Sequence, residues 1–284
     1  MSLGKRLRTR ARRALGAVAR HPVGRAFERL VYHVNPGPVI VLGNQKAGTS
    51  AIAQLLADHC GLSKTVDNPE LWPPTMVRIL SGRDTLSAFA RRHPRPFSRD
   101  LIKEPHLTFL HPQLRELCPR ARYVFVVRDP RSNIRSILNR LGVPGHLPAF
   151  RVEDYEMPEY WKDVFDPRIW GSDHEHYIGV LSDRWRRSAQ VYLRQPEEMI
   201  LLRYEDFLQA KARSIEELAH RLRLTPVHDI SGEVDTQFQP RGDHSVPLPV
   251  FFGPRNIGMI ERICLPEMAR FDYHPGEWQE PSRS

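Results

Sequence analysis

The sequence is poor in several things, and each shortage removes a class of protein. It holds only three cysteines, Cys60, Cys118 and Cys264. Their number is odd and their spacing wide, so they supply neither a disulfide framework nor a zinc-finger spacing, and they point to a reducing compartment. No uncharged apolar run reaches the roughly 18 residues that a membrane-spanning helix needs. No cluster of His, Asp and Glu has the spacing of a metal site, so no metal is expected. Acid is also scarce relative to base. Forty-two Lys and Arg against 33 Asp and Glu leave a net charge of +9, which favours an anionic partner: nucleic acid, a membrane surface or an anionic cofactor. With 284 residues, the chain is long enough to bury a full core.

What is present is organised around Val39-Ile40-Val41-Leu42-Gly43-Asn44-Gln45-Lys46-Ala47-Gly48-Thr49-Ser50. Four apolar residues read as a buried parallel strand. A glycine-bounded turn follows, and then Ile52, Leu55 and Leu56 fall at helical spacing. Strand, turn and helix N-terminus make an anion site of backbone N–H groups and helix dipole. The two glycines keep the spacing of a nucleotide-binding P-loop, G-x-x-x-x-G-K-[ST]. Thr49, however, stands in the lysine position, and the only lysine, Lys46, lies two residues before Gly48. Gly61 is placed to end the helix.

A proline-rich loop is expected from Thr65 to Pro74, with Glu70 as its carboxylate of interest. The arginines between Arg91 and Arg99 read as a solvated loop. A short strand ends at Lys103, Pro105 keeps Glu104 out of helical geometry, and helical spacing runs from Leu107 to Leu117. The strongest strand, Arg122 to Val127, leads into Arg128-Asp129-Pro130 and a helix with Ile134, Ile137, Leu138 and Leu141 on one face. Arg128 stands at the strand's C-terminal end and Ser136 eight residues later on the helix. Asp129 reads as a helix cap in preference to a magnesium ligand.

These two loops, in this order and spacing, resemble the sulfotransferase superfamily that uses 3′-phosphoadenosine 5′-phosphosulfate (PAPS). Gln45-Lys46-Ala47-Gly48-Thr49-Ser50 is similar to its P-K-S-G-T-[TS] loop, with Gln45 in place of the proline. Arg128 and Ser136 match its R-[DN]-P-x-x-x-x-x-S arrangement. Lys103-Glu104-Pro105 matches a K-[DE]-P element of the bacterial and tyrosylprotein branches, and Arg203-Tyr204-Glu205-Asp206 matches a frequent R-Y-E-D. The resemblance covers roughly residues 38–275. It implies an α/β fold, a P-loop-like three-layer arrangement with a central parallel sheet flanked by helices. It implies a transferase that moves a sulfuryl group from PAPS, as co-substrate, to an acceptor hydroxyl.

It also implies roles. Lys46, Ala47, Gly48, Thr49, Ser50, Arg128 and Ser136 hold the donor. Tyr204 approaches the adenine or only packs. Arg255 lies in a segment, Phe252 to Glu261, similar to the loop that closes over the 3′-phosphate. Lys46 and Lys103 supply the cationic chemistry. Glu70 and His106 compete for general base: Glu70 matches the position of the tyrosylprotein relatives' base, while His106 sits one residue further from Lys103 than the K-x-H of cytosolic relatives allows.

The rest stays open. The alternatives are a P-loop kinase or NTPase using ATP and magnesium, and a basic module that binds nucleic acid or membrane. Residues 1–34 form a basic arm or amphipathic helix, which allows peripheral contact with an anionic membrane. Nucleic acid is disfavoured because no aromatics interleave the early arginines. The transferase domain spans 35–276 and a disordered tail 277–284. The acceptor is a small-molecule, carbohydrate or lipid hydroxyl, and the location cytoplasmic or membrane-associated. The aromatic and acidic run from Glu153 to Trp170 reads equally as an acceptor lid or as a hydrophobic cluster under a long loop. Helices are expected at about 174–194 and 214–223, with a strand from Met199 between them.

Overall fold

Five short strands hydrogen-bond into one sheet in the order β2-β3-β1-β4-β5, every neighbouring pair parallel. They are β1 (Val39–Gly43), β2 (Lys64–Val66), β3 (Leu101–Lys103), β4 (Arg122–Val127) and β5 (Met199–Arg203). The computed structural model describes residues 28–236 and 245–277. The arm expected over 1–34 therefore lies mostly outside the described residues, as does the tail after Glu277.

The sheet is covered on both faces, which is why β1 reads as continuous apolar sequence. Alternate residues go to opposite layers. Ile40, Leu42, Tyr123, Phe125 and Val127 face the larger core, and Val39, Val41, Val124 and Val126 face the smaller one. The smaller layer is α1 (Thr49–His59) and, later in the chain, the helix Lys211–Arg221. The larger layer includes α2 (Leu86–Arg92), α3 (His111–Leu117), α4 (Pro130–Leu141), α5 (Tyr177–Arg194) and, beyond α6 (Lys211–Arg221), the long α7 (Leu248–Met268). The face of α4 expected from its spacing is the buried one: Ile134, Ile137 and Leu138 are fully enclosed and Leu141 nearly so.

Four expectations need correction. The segment from Thr65 opens as strand, not loop. β2 is three half-buried residues at the sheet edge, too short and too polar for an alternation to show. Arg91 to Arg99 is not a solvated loop but the end of α2 followed by the turn of helix Pro94–Phe97. Thr85 caps α2 by accepting the Ala88 N–H, and Leu86, Phe89, Ala90 and Phe97 are buried while the arginines face out. The stretch from Leu107 to Leu117 is helical in two pieces instead of one: it opens as a 3-10 helix, Pro105–Leu110, and becomes α-helix only at His111, where α3 begins. Phe252 to Glu261 is helix, not a closing loop: it belongs to α7, which bends at Gly253 (φ 69°) and restarts at Pro254.

The run from Glu153 to Trp170 forms four short helical turns. Met157, Trp161, Val164 and Phe165 join the main core, so this segment packs as a hydrophobic cluster. The three cysteines are buried and unpaired. No helix among the described residues is long and apolar enough to cross a membrane.

Candidate active site

Because all five strands run the same way, their C-terminal ends lie along one edge of the sheet, where open α/β folds bind ligands. Each strand delivers a polar residue there. Asn44, Gln45 and Lys46 follow β1, Asp67 follows β2, Lys103 ends β3, Arg128 follows β4 and Tyr204 follows β5.

The turn after β1 is built for an anion. Gly48 is the N-cap of α1 with φ 97°, a conformation that L side chains rarely adopt. A Cβ there would also lie 2.2 Å from the Tyr204 ring, so glycine lets the tyrosine rest on the loop. No side chain caps α1, and no acid stands in its first turn. Its dipole thus meets no acidic side chain within its own first turn.

Cations converge on this turn. Arg128 is almost buried. Its Nη1 donates to the Lys46 carbonyl at 3.0 Å, and its guanidinium lies 4.7 Å from the centre of the Tyr204 ring. The ammonium of Lys46 is pulled down to about 8, first by burial and then by the like charges of Arg140, Arg128 and Lys103; Asp67 pulls the other way. Ser136, on α4, is 8% exposed.

At the end of β3, Lys103 is buried and donates to Asp67 Oδ1 at 2.5 Å, while Asp67 keeps 35% of its side chain exposed. The next residue, Glu104, is enclosed and saturated. Its Oε1 accepts from His106 Nδ1 at 2.7 Å and from the His106 backbone N–H at 3.1 Å. Its Oε2 accepts from the Asn68 backbone N–H at 2.8 Å and from Trp72 Nε1 at 3.0 Å. Burial alone pushes its carboxyl up. The hydrogen bond and charge of His106, the Asn68 N–H and Lys103 outweigh that, and it lies below the usual carboxylate range.

The sequence-derived candidates divide accordingly. Lys46, Ala47, Gly48, Thr49, Ser50, Arg128 and Tyr204 stand together at the loop, and Lys103 reaches it electrostatically. His106 touches the loop through Gln45, its Nε2 lying 3.5 Å from Gln45 Nε2, but only 2% of its surface is exposed. Glu70 is exposed on a 3-10 turn and forms no hydrogen bond or ion pair among the described residues. Arg255 is exposed on α7. Its charge acts at His176, whose pKa is lowered by burial first and by Arg255 as well. Asp129 is the α4 cap, accepting from the Arg131 and Ser132 N–H groups. Among the described residues, no group of three or more His, Cys, Asp or Glu is placed to hold a metal ion.

Three residues were missed in the sequence. Asp67 is hidden because β2 gives no pattern to mark a strand end. Arg140 is an exposed residue in the last turn of α4. Arg184 had a signal: Tyr177, Leu181, Arg184 and Ser188 fall on one helical stripe, and a charge on an apolar stripe is a buried one in need of partners.

An all-parallel sheet whose first strand ends in an uncapped glycine turn, with Lys46, Lys103 and Arg128 gathered at that end, is the architecture of an α/β transferase. The chain belongs to the sulfotransferase domain family, which matches residues 36–236. Its activity is sulfuryl transfer. The fold is shared with sulfotransferase STF9 from Mycobacterium avium, at a TM-score of 0.54 and 13% identity over 91% of this chain and 81% of that one. It is shared also with mouse sulfotransferase SULT7A1, solved in complex with PAP, at a TM-score of 0.50 and 11% identity over 86% and 89%. No curated protein sequence matches the chain.

Proposed function

We propose that this enzyme takes its sulfuryl group from PAPS and passes it to a hydroxyl of a sugar, a lipid or a small molecule. The observation that carries the reading is the pairing at the strand ends: an uncapped helix N-terminus and Lys46 on one side, and the Lys103–Asp67 pair on the other. The donor, when bound, supplies an activated sulfuryl group on a phosphate leaving group. The turn from Lys46 to Ser50 fits its phosphosulfate because it offers N–H groups and a lysine, with no acid in the first turn of α1. Arg128 and Ser136 are assigned to the 3′-phosphate. Tyr204, seated on Gly48, is assigned to packing against the nucleoside.

Lys46 carries a proton toward the leaving phosphate oxygen, and a pKa near 8 suits an ammonium that must give up charge density during the reaction. Lys103 holds the sulfuryl oxygens. The sulfuryl group bears less charge than a phosphoryl group, so two lysines fill the role that magnesium fills in kinases.

For the general base we assign Asp67 in preference to Glu70 and His106. A base must reach the acceptor proton. Asp67 is open to solvent and bound to Lys103, whereas Glu104 and His106 are enclosed with each other and Glu70 is exposed with no hydrogen bond or ion pair among the described residues. Peripheral contact of the basic arm with anionic membranes is a separate proposal, tested by sedimentation with vesicles of anionic lipid.

The test is mass spectrometry of a panel of hydroxyl acceptors incubated with enzyme and PAPS. A gain of one sulfuryl group, lost in Asp67→Asn and kept in Glu70→Gln, supports the reading. Sulfation kept in Asp67→Asn and lost in Glu70→Gln returns the base to Glu70.

A further inference from the structure

The proposed chemistry uses one edge of the sheet, and the opposite edge carries a surface that this chemistry does not need. Because β3, β1 and β4 are parallel neighbours, all three begin along that far edge. Residues 28–31 are helical and lead to it. The Asn35 N–H donates to the Phe97 carbonyl at 2.9 Å, and Asn35 Nδ2 donates to the Arg99 carbonyl at 3.1 Å. The backbone N–H groups of Arg120 and Arg122 donate to the carbonyls of Pro36 and Pro38, at 2.8 and 3.0 Å. The approaches to β1, β3 and β4 are thus one continuous surface.

That surface is basic and apolar at once. Leu30 is 78% exposed and Val31 49%, and no other two sequence neighbours among the described residues are both large, apolar and exposed. Arg29 beside them is exposed, as are Arg120 and Arg122. The guanidiniums of Arg95 and Arg99 lie against the Tyr32 ring, 5.8 and 5.6 Å from its centre, which fixes them in place and keeps their charge. The acids here are engaged: Glu28 with Arg95 at 3.6 Å, and Asp100 with the Ser63 hydroxyl at 2.6 Å. Residues 1–27, which precede this surface in sequence, hold eight Lys and Arg and no Asp or Glu.

A partner must suit both characters. A second copy of this chain would set arginine against arginine, and so would residues 1–27. A nucleic acid would meet the arginines and leave Leu30 and Val31 without an apolar counterpart. An anionic membrane supplies both, acidic headgroups for the arginines and the acyl boundary for the two aliphatic side chains. We propose that this edge docks on an anionic bilayer, with the strand ends that carry Lys46, Lys103 and Arg128 turned away from it. This goes beyond contact by the basic arm, because the folded domain supplies the face and so fixes the orientation. The five residues of β1 separate the two edges by about 17 Å, at roughly 3.3 Å per residue. The acceptor is then a hydroxyl reached from solution, not the headgroup of a lipid in the bilayer on which the enzyme sits. That last step rests on the sulfuryl-transfer reading; the docking does not.

The experiment is sedimentation of the full chain with vesicles of phosphatidylcholine and phosphatidylserine, beside vesicles of phosphatidylcholine alone. The wild type should bind the anionic vesicles and leave the neutral ones. Leu30→Ser should weaken binding about tenfold, the effect of withdrawing one leucine side chain from an apolar phase. Arg120→Ser should weaken it about fivefold, the effect of one basic residue at an anionic surface. PAP affinity should stay the same in both variants and with vesicles present. With brominated lipid, Leu30→Trp should gain tryptophan quenching over the wild type, and Glu70→Trp, at the opposite edge, should gain none. Vesicle binding unchanged in both folded serine variants places the contact on the arm alone and overturns the proposal. Quenching gained by Glu70→Trp and not by Leu30→Trp overturns it, as does a wild type that ignores vesicles and binds a duplex oligonucleotide or dimerises through Leu30 instead. Vesicle binding as described in a protein that binds no PAP overturns the PAPS reading and leaves the docking proposal standing.

Discussion

Two arginines of this protein are buried to the same degree and live in opposite surroundings. Arg131, at the start of α4, is fully enclosed. Its guanidinium meets both oxygens of Asp129, at 3.0 and 2.5 Å, and Glu261 Oε1 at 2.6 Å. Arg184 is equally enclosed and meets two amide oxygens and two aromatic rings. The effect on charge is opposite in sign. Burial lowers the pKa of both, but Asp129 and Glu261 overcome it at Arg131 and raise it, while nothing offsets it at Arg184. Arg131 is a tie: it joins the α4 cap to α7 and to the His274 carbonyl. Arg184 is a source of direction, since its donors determine which way the two amides that touch it must point. A third arginine, Arg128, differs from both. It is nearly buried beside a carbonyl and a tyrosine face, and no carboxylate bonds to it among the described residues, which is the arrangement expected when the anion is a ligand.

The comparison breaks most visibly at the tie. Arg131→Met strands Asp129 and Glu261 beside an apolar side chain and should cost about 3–5 kcal/mol of unfolding free energy, read by denaturant titration. Arg128→Ala should leave the fold intact and weaken PAP by about 2–5 kcal/mol, because a buried phosphate loses its charged partner. Unchanged calorimetric affinity in a folded variant removes Arg128 from the site. Arg184→Met leaves no anion behind, only two acceptor amides, so its stability loss should be the smaller, about 1–3 kcal/mol. A loss equal to that of Arg131→Met would mean that the two arginines do the same work.

The smallest effect concerns Lys46. The ammonium is the form that binds an anion, and its pKa lies near 8 in the free protein. PAP affinity should therefore be greatest below pH 8 and decline as pH rises through that value. Arg140→Ala removes a like charge, raises the Lys46 pKa and moves the decline to higher pH. A pH profile unaltered by Arg140→Ala contradicts the assignment of that charge to the site.

Much of this was legible from residues alone because it rests on local pattern. β1, the glycine turn and the helix after it are one continuous signal, and Arg128-Asp129-Pro130 marks both a strand end and a capped helix start. What escaped depends on contacts between distant segments. Asp67 matters because β2 lies beside β3 and brings it to Lys103, a pairing that a three-residue strand, Lys64–Val66, cannot announce. α2 was obscured by arginines at 91 and 92 although Leu86, Phe89 and Ala90 carry its spacing. Arg255 was assigned to a loop by resemblance, whereas the spacing of Asn256, Ile257, Ile260 and Cys264 makes one buried face of α7. Arg184 needed partners from the β1 turn, 139 and 140 residues away in sequence.

The central claim is that the strand ends form a site for PAPS. Calorimetric titration of the full chain with PAP, in the presence of a chelator, tests it most directly. The account predicts saturable binding that persists in the chelator and is lost in Gly48→Ala, where the new methyl group meets the Tyr204 ring. No binding of PAP, with ATP and magnesium binding in its place, would contradict it.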